Sequence, residues 1–287
     1  MEKRFLLKWK GYTLDLSKRT HIMGILNVTP DSFYDGGRYF EKEKAVEHGI
    51  RMVKQGADII DVGGESTRPY SKRISAQEEM ERVIPVIEAL SKEIDVPISI
   101  DTYKSTVAEE AIKAGASIIN DISAFRFDPE MPKVAARAGV PVILMHMKGR
   151  PENMQDNPCY KDVVKEVIGF LKEAKKKAIE AGIREDLIIV DPGIGFGKKV
   201  EHNLEIIRSL NKFSVLNSPI LIGPSNKSFI AHIVGEGWEE RETGTMAVIS
   251  YAVMNGVHIV RVHNVEKAVQ TVRMIEAIKK GENASLY

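Results

Sequence analysis

The sequence predicts an α/β protein built as a (β/α)8 barrel, on three observations. Eight short runs rich in Ile and Val alternate with eight longer amphipathic stretches. The runs are apolar at consecutive positions, as parallel strands covered on both faces should be. Their repeating unit of roughly 32 residues suits a closed barrel better than an open doubly wound sheet, which usually has fewer strands.

The elements follow in order. Residues 1–19 precede the alternation and read as a hairpin, Arg4–Trp9 and Thr13–Leu16 about Gly11, placed to plug the bottom of the barrel. The hairpin is taken as part of one domain with the barrel of residues 20–287. His21–Leu26 leads through a long loop, Thr29–Arg38, to a helix over Glu41–Gln55. Ala57–Val62 leads through a second long loop, Glu65–Ser75, to Ala76–Lys92. Val96–Ile100 pairs with Lys104–Ala114, Ala116–Asn120 with Glu130–Ala138, and Val140–Met145 with Lys161–Ala181. Leu187–Val190 precedes Glu201–Leu210, Pro219–Ile222 precedes Thr243–Met254, and Val257–Val262 precedes Val265–Lys280. Long loops in a compact fold are usually functional. These two lack the apolar periodicity to dock permanently, so both are expected to be mobile while the site is empty.

Composition narrows the class. Of 287 residues 43% are hydrophobic and 28% charged, which is globular and not disordered. Lys+Arg 41 against Asp+Glu 40 leaves +1, so no basic field invites nucleic acid. One cysteine, Cys159, excludes an intramolecular disulfide and fits a reducing compartment. The basic start has no apolar run long enough for a signal peptide, and no stretch reaches a membrane span. A soluble cytoplasmic protein is expected.

Reactive groups of such barrels sit at the carboxyl ends of the strands. Here those ends carry Asn27, Glu65, Asp101, Asn120, Asp121, Met145, His146, Asp191, Lys227, Arg261 and His263. Asp101, Asn120 and Asp191 suit the donor-rich edge of a flat nitrogen heterocycle, although Asp101 also stands where it would cap a helix. Arg68, Lys227, Arg261 and His263 form a cationic group fit for phosphate or another anion. The segment Gly193–Gly197 lacks full dinucleotide-loop spacing and reads as a tight barrel turn. Cys159 has no His or Asp motif near it, and no metal-ligand spacing appears among the histidines.

Two longer motifs carry a resemblance. GILNVTPDSF over residues 24–33 and GGESTRP over 63–69 are similar to the signature loops of the dihydropteroate synthase family. SIDT at 99–102, IND at 119–121, MHM at 145–147, DPGIGFG at 191–197, GPSNKS at 223–228 and RVH at 261–263 resemble its further motifs in the same order. The resemblance spans about residues 20–280. It implies a transferase of folate biosynthesis and a sulfonamide target. Its reaction joins p-aminobenzoate to (7,8-dihydropterin-6-yl)methyl diphosphate with loss of pyrophosphate, by dissociative substitution with Mg2+. It implies a pterin held by Asp101, Asn120, Asp191, Lys227, Met145 and Phe196, and a diphosphate held by Asn27, Thr67, Arg68, Arg261 and His263. Asn27 would meet Mg2+ through the diphosphate. Phe33, Pro69 and Ser228 would hold p-aminobenzoate, Ser228 where a helix starts after Ser225, and Asp35 would act in loop closure. Arg68, Lys227, Arg261 and His263 become the catalytic set, and a homodimer is implied by family analogy.

Two positions depart from the pattern. Asn226 stands where the family usually has Arg, and Asn264 where Asp is usual. The first removes a cation near the aminobenzoate pocket, and the second a carboxylate that would orient His263. Two other readings stay open at this level. A pterin-dependent methyltransferase would transfer methyl from methyltetrahydrofolate, and a non-catalytic pterin-binding barrel would bind the diphosphate without releasing pyrophosphate.

Overall fold

A computed structural model describes residues 4–29 and 37–281. The chain opens with a hairpin of β1 (Leu6–Trp9) and β2 (Tyr12–Asp15), in which Trp9 faces Tyr12 across a two-residue turn. Lys10 (φ 41°) and Gly11 (φ 84°) are both left-handed, as a turn matching the strand twist requires. Leu7, Trp9 and Leu16 are buried. The hairpin sits at the strands' amino ends: the Phe5 ring meets His258 edge-on at 4.8 Å, and Arg184 donates to the Lys8 carbonyl at 3.4 Å.

Eight parallel strands follow. They are β3 (His21–Asn27), β4 (Ile59–Gly63), β5 (Ile98–Asp101), β6 (Ile118–Asp121), β7 (Val142–Met145), β8 (Ile188–Asp191), β9 (Leu221–Ile222) and β10 (Ile259–Val262). Their order is β8-β7-β6-β5-β4-β3-β10-β9. A bridge between Val190 and Ile220 brings β8 to β9 and closes the ring, with the Val190 N–H donating to the Pro219 carbonyl at 2.9 Å. Strand β9 keeps only two residues, since Pro219 lacks an N–H and Gly223-Pro224 ends the run.

The surrounding helices are α1 (Gly37–Lys54), α2 (Ala76–Glu93), α3 (Ser105–Ala114), α4 (Met131–Ala138), α5 (Val163–Glu180), α6 (Val200–Arg208), α7 (Ser228–Val234), α8 (Trp238–Met254) and α9 (Val265–Lys280). Ile, Val and Leu of the strands and the inner helix faces form one core. Three elements differ from expectation. Helix α1 starts at Gly37 and shortens the first loop from its far end. Helix α8 starts five residues ahead of Thr243, where Glu239 and Glu240 favour a helix amino end. Helix α7 adds a ninth α-helix among the described residues; its seven residues are too few to show a period. A third long connection, residues 146–162 between β7 and α5, also escaped the sequence reading. Among the described residues, no helix is long and apolar enough to cross a membrane.

Candidate active site

The strands' carboxyl ends converge on a charged floor. Arg261 of β10 donates from Nε to Asp61 Oδ2 and from Nη2 to Asp101 Oδ2, each at 2.5 Å. Asn120 of β6 donates to the same Asp61 oxygen at 3.1 Å. The other oxygen of each aspartate, Asp61 Oδ1 and Asp101 Oδ1, is buried with no hydrogen-bond partner in the structure. Unmet buried acceptors are costly and call for a donor, such as a ligand N–H. Burial raises the Asp101 carboxyl, Arg261 opposes that rise, and the carboxylate of Asp61 adds to it. Arg261, between two carboxylates, stays charged.

Opposite them, Asp191 ends β8, and its Oδ1 accepts from the Gly193 N–H at 2.6 Å. Burial pushes its carboxyl up to about 6. Lys227 is the residue preceding α7, with Nζ 4.0 Å from the centre of the Phe196 ring. Burial first, then Arg261, lowers its ammonium to about 8. Two glycines make this approach possible. At Gly195 (φ 83°) a Cβ would stand 2.9 Å from Lys227 Cδ, and at Gly193 (φ 70°) 1.9 Å from the His146 carbonyl. Met145 and Phe196 join Tyr103, Ile122, Met147 and Met154 in a second buried apolar cluster, an apolar flank to the floor.

His263 lies 2.9 Å from Ser225 Oγ through Nδ1. Burial, then Arg261, Lys227 and Arg68, depress it to about 4. Burial and these cations disfavour its charged form, so it differs from the lysine and the arginines of the cationic group. The charges of Arg261, Lys227 and Arg68 all act on this imidazole. Asn27 ends β3 beside Gly63 of β4. In the second loop Thr67 is half-buried, while Arg68 and Pro69 are exposed. The loop makes polar contacts with its surroundings. Glu65 accepts from Tyr103 Oη at 2.7 Å and pairs with Lys104, and the loop's far end bonds polar groups of the 146–162 connection. Periodicity cannot reveal such docking, because it uses no apolar face.

Ser228 is exposed as the first residue of α7, at a helix start after Ser225 as expected. Phe33 and Asp35 lie outside the described residues. The departures from the family pattern fall outside the floor. Asn226 is left-handed (φ 57°), a conformation Asn tolerates. Asn264 accepts from the Lys267 N–H at 3.1 Å and caps α9, while Ser225 orients His263.

A model described as "Pterin binding enzyme" matches residues 23–263. The dihydropteroate synthase of Bacillus subtilis is 48% identical over 269 residues, 94% of this chain and 92% of the relative. This chain belongs to the dihydropteroate synthase family. A solved Xanthomonas albilineans dihydropteroate synthase with 4-aminobenzoic acid superposes with a TM-score of 0.90 at 41% identity, covering 96% of this chain and 99% of that one. Another from Xanthomonas albilineans, in complex with 7,8-dihydropteroate, gives 0.87 at 39% identity, covering 96% and 98%. Full-length likeness to synthases sets the methyltransferase reading aside.

Two buried residues escaped the sequence reading. Asp61 interrupts the apolar Ile59–Val62 run and is fully buried; a charge inside a two-faced strand was the available signal. Lys198 had no such signal. Its Nζ donates to the carbonyls of Gly193 at 2.8 Å and Phe196 at 3.0 Å and lies 2.9 Å from His146 Nδ1. It fastens the Gly193–Gly197 turn from beneath, and burial lowers it to about 7.

Proposed function

We propose that this chain condenses (7,8-dihydropterin-6-yl)methyl diphosphate with p-aminobenzoate, giving dihydropteroate and pyrophosphate for folate synthesis. The observation that carries the reading is the floor: two buried carboxylate oxygens lack donors beside Asn120, Asp191 and Lys227. A pterin ring presents ring and amino N–H groups to such acceptors and carbonyl and ring nitrogen to Lys227. Met145 and Phe196 cover its apolar faces. The Xanthomonas albilineans synthase structures with 4-aminobenzoic acid and with 7,8-dihydropteroate support the substrate class.

Arg68, Thr67 and Arg261 hold the diphosphate, and His263 donates to it as a neutral imidazole. Charge developing on the leaving group is stabilised by cations fixed in place before reaction. The carbon–oxygen bond to the diphosphate breaks first, the electron-rich dihydropterin bearing the positive charge. The aminobenzoate nitrogen then bonds that carbon and loses a proton. Phe33, Pro69 and Ser228 hold the aminobenzoate, and Asp35 acts as the first loop orders, excluding water. No side chain serves as a covalent nucleophile.

Mg2+ fits only as a guest of the diphosphate. Among the described residues no group of three or more His, Cys, Asp or Glu could hold a metal, and Asn27 offers one hard oxygen beside the site. That donor set suits an ion bound largely through phosphate oxygens and water. Bound there, it would neutralise leaving-group charge.

Pairing as a homodimer is supported by exposed apolar side chains on adjacent outer helices: Ile233 on α7, Trp238 and Met254 on α8, Met274 and Ile278 on α9. A cytoplasmic location is the compartment proposed. The direct test is pyrophosphate release from the pterin diphosphate. Mg2+-dependent release, with dihydropteroate formed when p-aminobenzoate is present, supports the reading; diphosphate binding without release returns the chain to a non-catalytic pterin barrel.

A further inference from the structure

The connection between β7 and α5 touches both halves of the site. On one side, Gln155 Nε2 donates to the Gly195 carbonyl at 2.8 Å, and Met154 is buried against the cluster of Met145 and Phe196. Gly195 is the residue against which Lys227 lies. On the other side, the Tyr70 N–H donates to the Pro151 carbonyl at 3.0 Å, and Tyr70 Oη to Asp156 Oδ1 at 3.2 Å. Arg73 pairs with Glu152. Tyr70 is 65% exposed and left-handed at φ 62°, a conformation unfavourable to an aromatic residue. No apolar burial holds it there, so its two polar bonds to the connection do. They fix the residue that directly follows Arg68 and Pro69.

We propose that residues 150–156 form a bridge that positions the second loop from the pterin floor, with Gln155, Asp156 and Tyr70 as positioning residues. The bridge sets Arg68 and Pro69 at the height of a pterin-diphosphate seated on the floor, so the aminobenzoate wall forms in register with that substrate. None of the three needs to touch either substrate. This inference rests on the functional reading above, in which Arg68 and Pro69 serve the diphosphate and p-aminobenzoate.

The test compares Tyr70→Phe, Gln155→Ala, Asp156→Ala, Asp156→Asn and the Tyr70→Phe/Gln155→Ala double variant. Tyr70→Phe, Gln155→Ala and Asp156→Ala are each expected to raise the KM for p-aminobenzoate about three- to tenfold, the loss of one hydrogen bond. Pterin-diphosphate affinity should fall by a smaller factor, since Arg68 also meets the diphosphate while the buried floor is unchanged, and Tm should stay near wild type. Asp156→Asn keeps an acceptor oxygen and should restore the wild-type KM. Because the contacts act in series, the double variant should be no worse than the poorer single. Multiplying effects, or unchanged KM in all variants, overturn the bridge. Amide hydrogen exchange over residues 66–75 of the unliganded protein needs no turnover and separates this inference from the reaction. It should accelerate in Tyr70→Phe and Gln155→Ala, and wild-type protection in both rejects the bridge even if the enzyme is active.

Discussion

The floor and the roof of this site are built by different physics. The floor consists of Asp61, Asp101, Asn120, Asp191, Lys227 and Arg261, on the strands or in the turns just past them, with Arg261 paired to Asp61 and Asp101. Its geometry is set when the barrel folds, before any substrate arrives. The roof, from Glu65 to Ser75, is held by polar contacts of Glu65, Tyr70 and Arg73 and exposes Arg68 and Pro69. Its energy is of surface size, so ligand binding is large enough to reset it. Rigid electrostatics for recognition and an adjustable wall for the second substrate can thus share one barrel mouth.

The largest expected effect breaks the floor. Arg261→Met leaves Asp61 and Asp101 buried without their cation, and loss of one partner from a buried charge cluster costs about 3–5 kcal/mol. Urea unfolding measures it, and a loss below about 1 kcal/mol would mean the floor is not preassembled. Next comes a titrating group at the opposite end of the barrel. The Ile220 N–H donates to His258 Nδ1 at 3.1 Å, and burial holds the imidazole at about 4. A folded value below the unfolded 6.5 contributes stability present above pH 6.5 and lost as pH falls toward 4. That contribution is about 3 kcal/mol. His258→Gln should flatten the fall in stability over that window without changing pterin affinity.

Lys227→Ala and Asp191→Asn should each weaken pterin binding by about 1.5–3 kcal/mol in calorimetry while the fold stays intact. In the wild type, affinity should rise as Asp191 ionises through about 6 and fall as Lys227 loses its proton through about 8. A flat profile from pH 5 to 9 would take both from the pterin contact. The smallest effects belong to the roof and its rim. Ser228→Ala and Phe33→Leu should raise the KM for p-aminobenzoate by a factor of about 2 to 10, the loss of one modest contact, with pterin affinity unchanged.

The sequence disclosed the floor better than the roof, for a physical reason. Strand runs such as Ile118–Asp121 are apolar on both faces, so their polar ends at Asn120, Asp101 and Asp191 stand out. Asp61 hides within its run because the eye reads strand ends, yet it anchors Arg261. Lys198 follows a glycine turn like any surface lysine, and only folding shows that it faces inward to carbonyls. Tyr70, Arg73, Glu152 and Asp156 are polar loop residues without a period, and the Tyr70–Asp156 hydrogen bond and the Arg73–Glu152 pair join positions 86 and 79 apart in sequence. Contacts of that kind leave no pattern in the chain.

The contrast between a preassembled floor and a completed roof has one direct measurement: calorimetric titration of p-aminobenzoate into the empty protein and into the protein loaded with pyrophosphate and Mg2+. Affinity should be at least about tenfold higher in the loaded protein, because the diphosphate recruits Arg68 and the wall forms only then. Equal affinity in both titrations would show that the aminobenzoate site is preformed and contradict the division between floor and roof.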